Sequence, residues 1–125
     1  MLNKKRIIQA EKLCLSGAYL LRHHDAKKVC NGIGPEWFPP WLRLLANTLC
    51  PSLILAALIH DMRYHLGGSC SDRRAADAEF MANALIIAEA KYKYFPPVKW
   101  LIEWSALKMF RLLRLAGNTA WRADS

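Results

Sequence analysis

The sequence contains no CxxC pair, no apolar run long enough to cross a bilayer, and almost no strict alternation of apolar with polar residues. Each absence excludes a class. Without CxxC spacing, the four cysteines at 14, 30, 50 and 70 do not read as a zinc ribbon. The longest uncharged apolar run, from about Leu49 to Ile59, contains Pro51 and falls short of the ~20 residues a membrane-spanning helix needs. The missing alternation argues against strands. Glycine and proline, six of each, are too few for a collagen-like or low-complexity chain. What remains is 125 residues that are 54% apolar and 22% charged, the composition of a single folded domain with a real core.

Lys4, Lys5 and Arg6 are followed by Ile7 and Ile8, but Gln9, Glu11 and Lys12 interrupt what would be the apolar centre of a secretion signal. Cytoplasmic synthesis is therefore expected, with the cysteines as buried thiols. Eighteen Lys and Arg against ten Asp and Glu leave a net charge of +8. That excess favours a polyanionic partner such as an anionic lipid surface, an acidic protein or nucleic acid. The charges are spread along the chain and no nucleic-acid motif is present, which makes nucleic acid the weakest of the three. A merely solvated basic surface accounts for the same charge.

The expected fold class is all-α, a small helical bundle. Ile7, Ile8, Leu13, Leu15, Ala18, Leu20 and Leu21 suggest a first amphipathic helix over about 4–23, followed by a loop from about Asp25 to Pro40 and a short helix from Trp41 to Asn47. Pro51 suits the first position of a helix, where its missing N–H would have no intrahelical partner. The segment to about residue 66 is apolar nearly all round and should be central and buried. Gly67 and Gly68 end it. Ser71 or Asp72 can cap a helix running to about Lys91, and after Pro96 and Pro97 a last helix runs from about Val98 to Ala116.

The informative stretch is Ile59-His60-Asp61-Met62-Arg63-Tyr64. His60 and Tyr64 share a helix face, whereas Asp61 points about 100° away. The short connection to the next helix makes the two antiparallel neighbours. His60 and Asp77 are each about 9 Å from the turn, so they can face one another, and the Tyr64 hydroxyl leans back to the same level. A carboxylate that fixes the histidine tautomer leaves the other ring nitrogen to take a proton from water. With no GxSxG nucleophile motif, water attacking an ester is the natural reaction class. Asp61, aimed elsewhere, can hold a hard cation such as calcium with carbonyl oxygens of the loop Cys30-Asn31-Gly32-Ile33-Gly34-Pro35, and such an ion would polarise the carbonyl. Two other readings stand beside this one: a satisfied buried polar network, and a zinc site from His60, His65 and Cys70.

At these residues the sequence resembles the phospholipase A2 superfamily, whose His-Asp-x-x-Tyr helix follows a Gly-containing calcium loop and precedes an Asp on an antiparallel helix. The segments Ala57 to Tyr64 and Ala76 to Phe80 are most similar to the disulfide-free phospholipase domain of parvovirus capsid proteins. They are also similar to small phage-encoded proteins with a His-Asp helix and an Arg-x-x-Ala-Asp helix, a group that Met109 to Gly117 resembles as well. The matched region is roughly 30–85. The resemblance implies that His60 is the general base, Asp77 its orienting carboxylate and Tyr64 a brace for Asp77. It implies a calcium site from Asp61 and the carbonyls of Cys30, Gly32 and Gly34, with the Gly32 N–H directed at the oxyanion. It also implies a phospholipid membrane as substrate surface, cleavage at the sn-2 ester, and a phage or virion association. Cysteines that flank the His motif in secreted members are absent: positions 56 and 57 are Ala and position 63 is Arg. Trp37, Phe38 and Trp41, and the last helix with Trp100, Trp104, Phe110, Leu113, Lys99, Lys108, Arg111 and Arg114, are candidates for meeting an anionic lipid surface or for ordinary core packing with a basic outer face. The alternative function is a non-catalytic phage or prophage protein that keeps the scaffold and binds a protein or polyanionic partner.

Overall fold

Nine of the fourteen residues from Leu53 to Leu66 are buried, and that helix organises the rest of the molecule. A computed structural model describes residues 2–30, 39–117 and 121, which form six α-helices and no strand. These are α1 (Lys4–Lys12), α2 (Ala26–Cys30), α3 (Pro40–Thr48), α4 (Leu53–Leu66), α5 (Cys70–Tyr92) and α6 (Pro96–Ala116), with a 3-10 turn at Ala18–Arg22. The all-α expectation holds.

The connection between α4 and α5 is set by local chemistry. Gly67 and Gly68 take φ values of 73° and 133°, which side chains with a Cβ rarely adopt. Ser69 then caps α5 reciprocally: its Oγ accepts from the Asp72 N–H at 3.2 Å, and the Asp72 carboxylate accepts from the Ser69 N–H at 2.9 Å. Ser69, not Ser71, is thus the capping residue, and Asp72 occupies the third helical position. The resulting antiparallel pair is cross-tied by Arg63, which donates from Nε and Nη2 to the two oxygens of Glu79 at 3.0 and 2.9 Å. At its other end α5 turns through Pro96 and Pro97 into α6, also antiparallel, as the ties Glu89–Lys99 and Asp77–Arg114 require. Leu58, Phe80, Ile87 and Ile102 from these three helices are almost fully buried. Each such side chain contributes about 1.5–3 kcal/mol of transfer free energy.

Three expected elements differ. The single helix over 4–23 is instead α1, a turn and the 3-10 segment. Cys14 and Gly17 adopt positive φ (55° and 80°), and a Cβ on Gly17 would lie 2.9 Å from Ile59 Cγ2. The break is held from afar by Asn83 on α5, which accepts from the Ser16 N–H and donates to the Ser16 carbonyl, each at 2.9 Å. The expected loop from Asp25 contains α2, because Ala26 and Cys30, four apart, are both buried. Pro51 is not the first residue of α4. The chain enters that helix through tighter bonds, Leu53 N–H to the Cys50 carbonyl and Leu55 N–H to the Ser52 carbonyl, so the regular helix starts at Leu53. Of the four thiols, Cys30 and Cys50 are buried as expected, while Cys14 and Cys70 are exposed; all four are free.

Candidate active site

Asp77 is completely buried, which for a carboxylate requires partners on every side. It has three. His60 Nε2 lies 2.9 Å from Oδ1, the Tyr64 hydroxyl donates to the same oxygen at 2.6 Å, and Arg114 Nη1 donates to Oδ2 at 2.6 Å. Burial by itself raises the carboxyl pKa. The hydrogen bonds from His60, Tyr64 and Arg114, together with the His60 charge, outweigh it and hold Asp77 below the usual carboxylate range. Burial, and then the bond to Asp77, push the Tyr64 hydroxyl well up, so it serves as a neutral donor. Since the ionised carboxylate only accepts, His60 directs an N–H at it from Nε2.

The imidazole is fixed by packing as well. The Tyr64 ring lies 4.2 Å from it, centroid to centroid, and Phe80 meets it edge-on at 5.7 Å. Trp121 packs edge-on against Tyr64 at 5.0 Å and donates from Nε1 to the Gly68 carbonyl at 3.2 Å. Arg73 Nη2 donates to the Leu113 carbonyl at 2.8 Å, tying the end of α6 to the start of α5 beside the same cluster. Gly117 fits there only because it lacks a Cβ, which would stand 2.5 Å from the Tyr64 hydroxyl and 3.2 Å from Arg73 Nη2. Gly117→Ala is therefore expected to cost about 1–2 kcal/mol and to displace the Tyr64 hydroxyl from Asp77. Urea denaturation and the near-ultraviolet circular dichroism of Tyr64 and Trp121 read the two effects.

Among the expected site residues, His60, Tyr64 and Asp77 are brought together as spacing suggests. Asp61 stands half-buried on α4. Cys30 is not a loop residue but the last residue of α2, its thiol 3.8 Å from the Leu58 carbonyl. Burial first, and then the Asp61 charge, push this thiol up to about 12. The end of α2 and the Asp61 carboxylate are thus neighbours. Of the residues implied to hold a hard cation, only Asp61 and Cys30 fall within the described residues, and the buried thiol takes no part. Gly32 and Gly34, and with them the oxyanion donor, lie outside the described residues, as do Trp37 and Phe38. His60, His65 and Cys70 do not form a metal cluster among the described residues, since His60 is turned to Asp77.

The sequence pattern puts Arg114 on an outer basic face, includes Arg73 only in the Arg-x-x-Ala-Asp match without a role, and gives no signal for Trp121. Leu113, read as either lipid-facing or core-packed, is 5% exposed and belongs to the core. Of the proposed lipid-facing residues, Trp100 and Trp104 are exposed at 65% and 56%, beside Leu101 and Leu112. Lys108 Nζ sits 5.0 Å over the rings of both Trp104 and Trp41. Among the described residues no helix is long and apolar enough to cross a membrane. No family model, curated protein or solved structure matches the chain.

Proposed function

We propose that this protein is a calcium-dependent phospholipase A2-type hydrolase in which His60 activates water against the sn-2 ester of phospholipids. The observation that carries the reading is the buried contact of His60 Nε2 with Asp77 Oδ1 at 2.9 Å, with Tyr64 on the same oxygen. Asp77 holds the imidazole in one tautomer and stabilises the imidazolium that forms as Nδ1 takes a proton from water. The resulting hydroxide adds to the ester carbonyl. The imidazolium then gives its proton to the departing alkoxide, so one water and one ester become a fatty acid and a lysophospholipid. Asp61 and the carbonyls of Cys30, Gly32 and Gly34 would hold calcium, which when bound supplies polarisation of the ester carbonyl. The net charge of +8 and the exposed Trp100–Trp104 face of α6 support an anionic lipid surface as the place of work.

A second reading draws on two further observations. His60 is only 2% exposed, and Arg114 neutralises the carboxylate that would assist it. Both suit a non-catalytic phage or prophage protein in which the cluster serves stability and the basic surface meets a protein or polyanionic partner. Fatty-acid release from mixed anionic and zwitterionic vesicles, with calcium and with chelator, separates them. The hydrolase should release fatty acid only with calcium, and His60→Asn should lower the rate about 10²–10⁴-fold. No release from folded, monodisperse protein under any lipid condition would leave the scaffold reading.

A further inference from the structure

Near the C-terminal end of α4 and the entry to α2, a second cluster of histidines gathers around one carboxylate. His23 closes the 3-10 turn, and Asp25 stands immediately before α2, its carbonyl accepting from the Val29 N–H at 3.0 Å. Neighbouring side chains in an extended segment normally diverge. Here the rings of His23 and His24 stack with centroids 4.1 Å apart. One donor atom from each of His23, His24 and Asp25 lies within 4.8 Å of the others. A fourth group arrives from a different element: His65, in the last turn of α4, places Nε2 3.3 Å from Asp25 Oδ2. On the other side of the same carboxylate, His24 Nε2 lies 3.5 Å from Oδ1.

These separations have a meaning for metal chemistry. Tetrahedral ligands about 2.0–2.1 Å from a zinc ion stand about 3.3–3.4 Å from one another. His24 Nε2 stands near that spacing from Asp25 Oδ1, while His65 Nε2 holds the other oxygen, Oδ2, and has to turn toward the ion to join the set. Three imidazoles and one carboxylate form a borderline nitrogen-and-oxygen donor set, which suits zinc and its neighbours and not calcium. The donors are half-buried to exposed, with side-chain exposures of 83% for His24, 37% for Asp25 and 28% for His65, so an ion can reach them without opening the core.

We propose that His23, His24 and Asp25, joined by His65 as it turns from Asp25 Oδ2, form a binding site for one divalent transition cation of the zinc type, which clips the start of α2 to the end of α4. His23 Nδ1 at present accepts from the Asp25 N–H at 3.0 Å, so His23 completes the set by exchanging that bond for the metal. The site is separate from the Asp61 region assigned to calcium and does not depend on the hydrolase reading. Its role is to tie two segments forty residues apart.

Zinc chloride titrated calorimetrically into the reduced, chelator-treated full chain tests this directly. One zinc per chain should bind, and His24→Ala and His65→Ala should each weaken binding at least tenfold. Because the His24 side chain is largely exposed, His24→Ala leaves the core intact, and circular dichroism of both variants checks their folding. Cobalt substitution provides the second measurement: a tetrahedral visible spectrum without thiolate charge transfer is expected. Absence of zinc binding in the wild type, affinity unchanged in both variants, or a thiolate band placing the metal on Cys14 or Cys70 would each overturn the proposal.

Discussion

Asp77→Asn should lower the unfolding free energy by about 3–5 kcal/mol, the range for breaking a buried ion pair from one side. The reason lies in the donor count. His60 Nε2, the Tyr64 hydroxyl and Arg114 Nη1 all point protons at the carboxylate, which accepts everything and donates nothing. An amide of the same shape must turn its NH2 toward one of its two sides. Facing Arg114, it sets donor against donor and leaves the guanidinium without its counter-ion. Facing His60, it forces the imidazole to accept at Nε2 and carry its proton on Nδ1, the nitrogen that must be bare to act as a base. If the hydrolase reading holds, activity falls on the order of 10⁴-fold even in the folded fraction, as for the analogous orienting Asp in serine proteases. Urea denaturation reads the first effect and vesicle hydrolysis at a temperature where the variant is folded reads the second.

The same carboxyl sets a pH dependence. Its folded-state pKa lies below the unfolded value of about 3.9, so its stabilisation is complete above that value. It is lost as pH falls through the folded-state pKa. The stability difference between wild type and Asp77→Asn should therefore be level above about pH 5 and shrink progressively below about pH 4. A difference that stays constant down to pH 2 would mean that Asp77 does not titrate differently in the folded chain.

What could be read in the sequence was whatever local geometry determines. The α4–α5 turn is short, so counting residues outward from it places His60 opposite Asp77. The same counting could have found Arg114. Asp77 lies fifteen residues before the end of α5 at Tyr92, and Arg114 lies eighteen residues after the start of α6 at Pro96. That offset of three residues is about 4.5 Å along the axis, within reach of an arginine side chain. A basic residue between apolar ones on a last helix reads as surface, which hides this role of Arg114 in the sequence. The identity of the α5 cap was a matter of one turn: Ser69 and Asp72 satisfy the reciprocal pattern, and Ser71 does not. The break after α1 was not legible at all. Leu13, Leu15, Ala18, Leu20 and Leu21 include spacings that a helix tolerates poorly, but what holds the turn open is a side chain sixty-seven residues away.

That side chain provides the other large effect. Asn83 is fully buried, and its amide satisfies both main-chain groups of Ser16, while Glu79 one turn earlier accepts from the Ser16 hydroxyl at 2.8 Å. Asn83→Ala removes the acceptor and the donor together and leaves a void. A buried group that loses its partner costs about 1–3 kcal/mol, but Ser16 stands at the surface and water can reclaim part of that loss. The net expectation is about 2–3 kcal/mol, with accelerated amide exchange at Ser16. Asn83→Asp distinguishes this clamp from simple space-filling. It preserves volume and still accepts from the Ser16 N–H, but it sets a carboxylate oxygen against the Ser16 carbonyl and adds charge one turn from Glu79. If shape alone mattered, Asp would be tolerated where Ala is not. Because the clamp depends on donating as well as accepting, Asp should destabilise at least as much as Ala at neutral pH and recover part of the loss in acid, where its protonated oxygen can donate again.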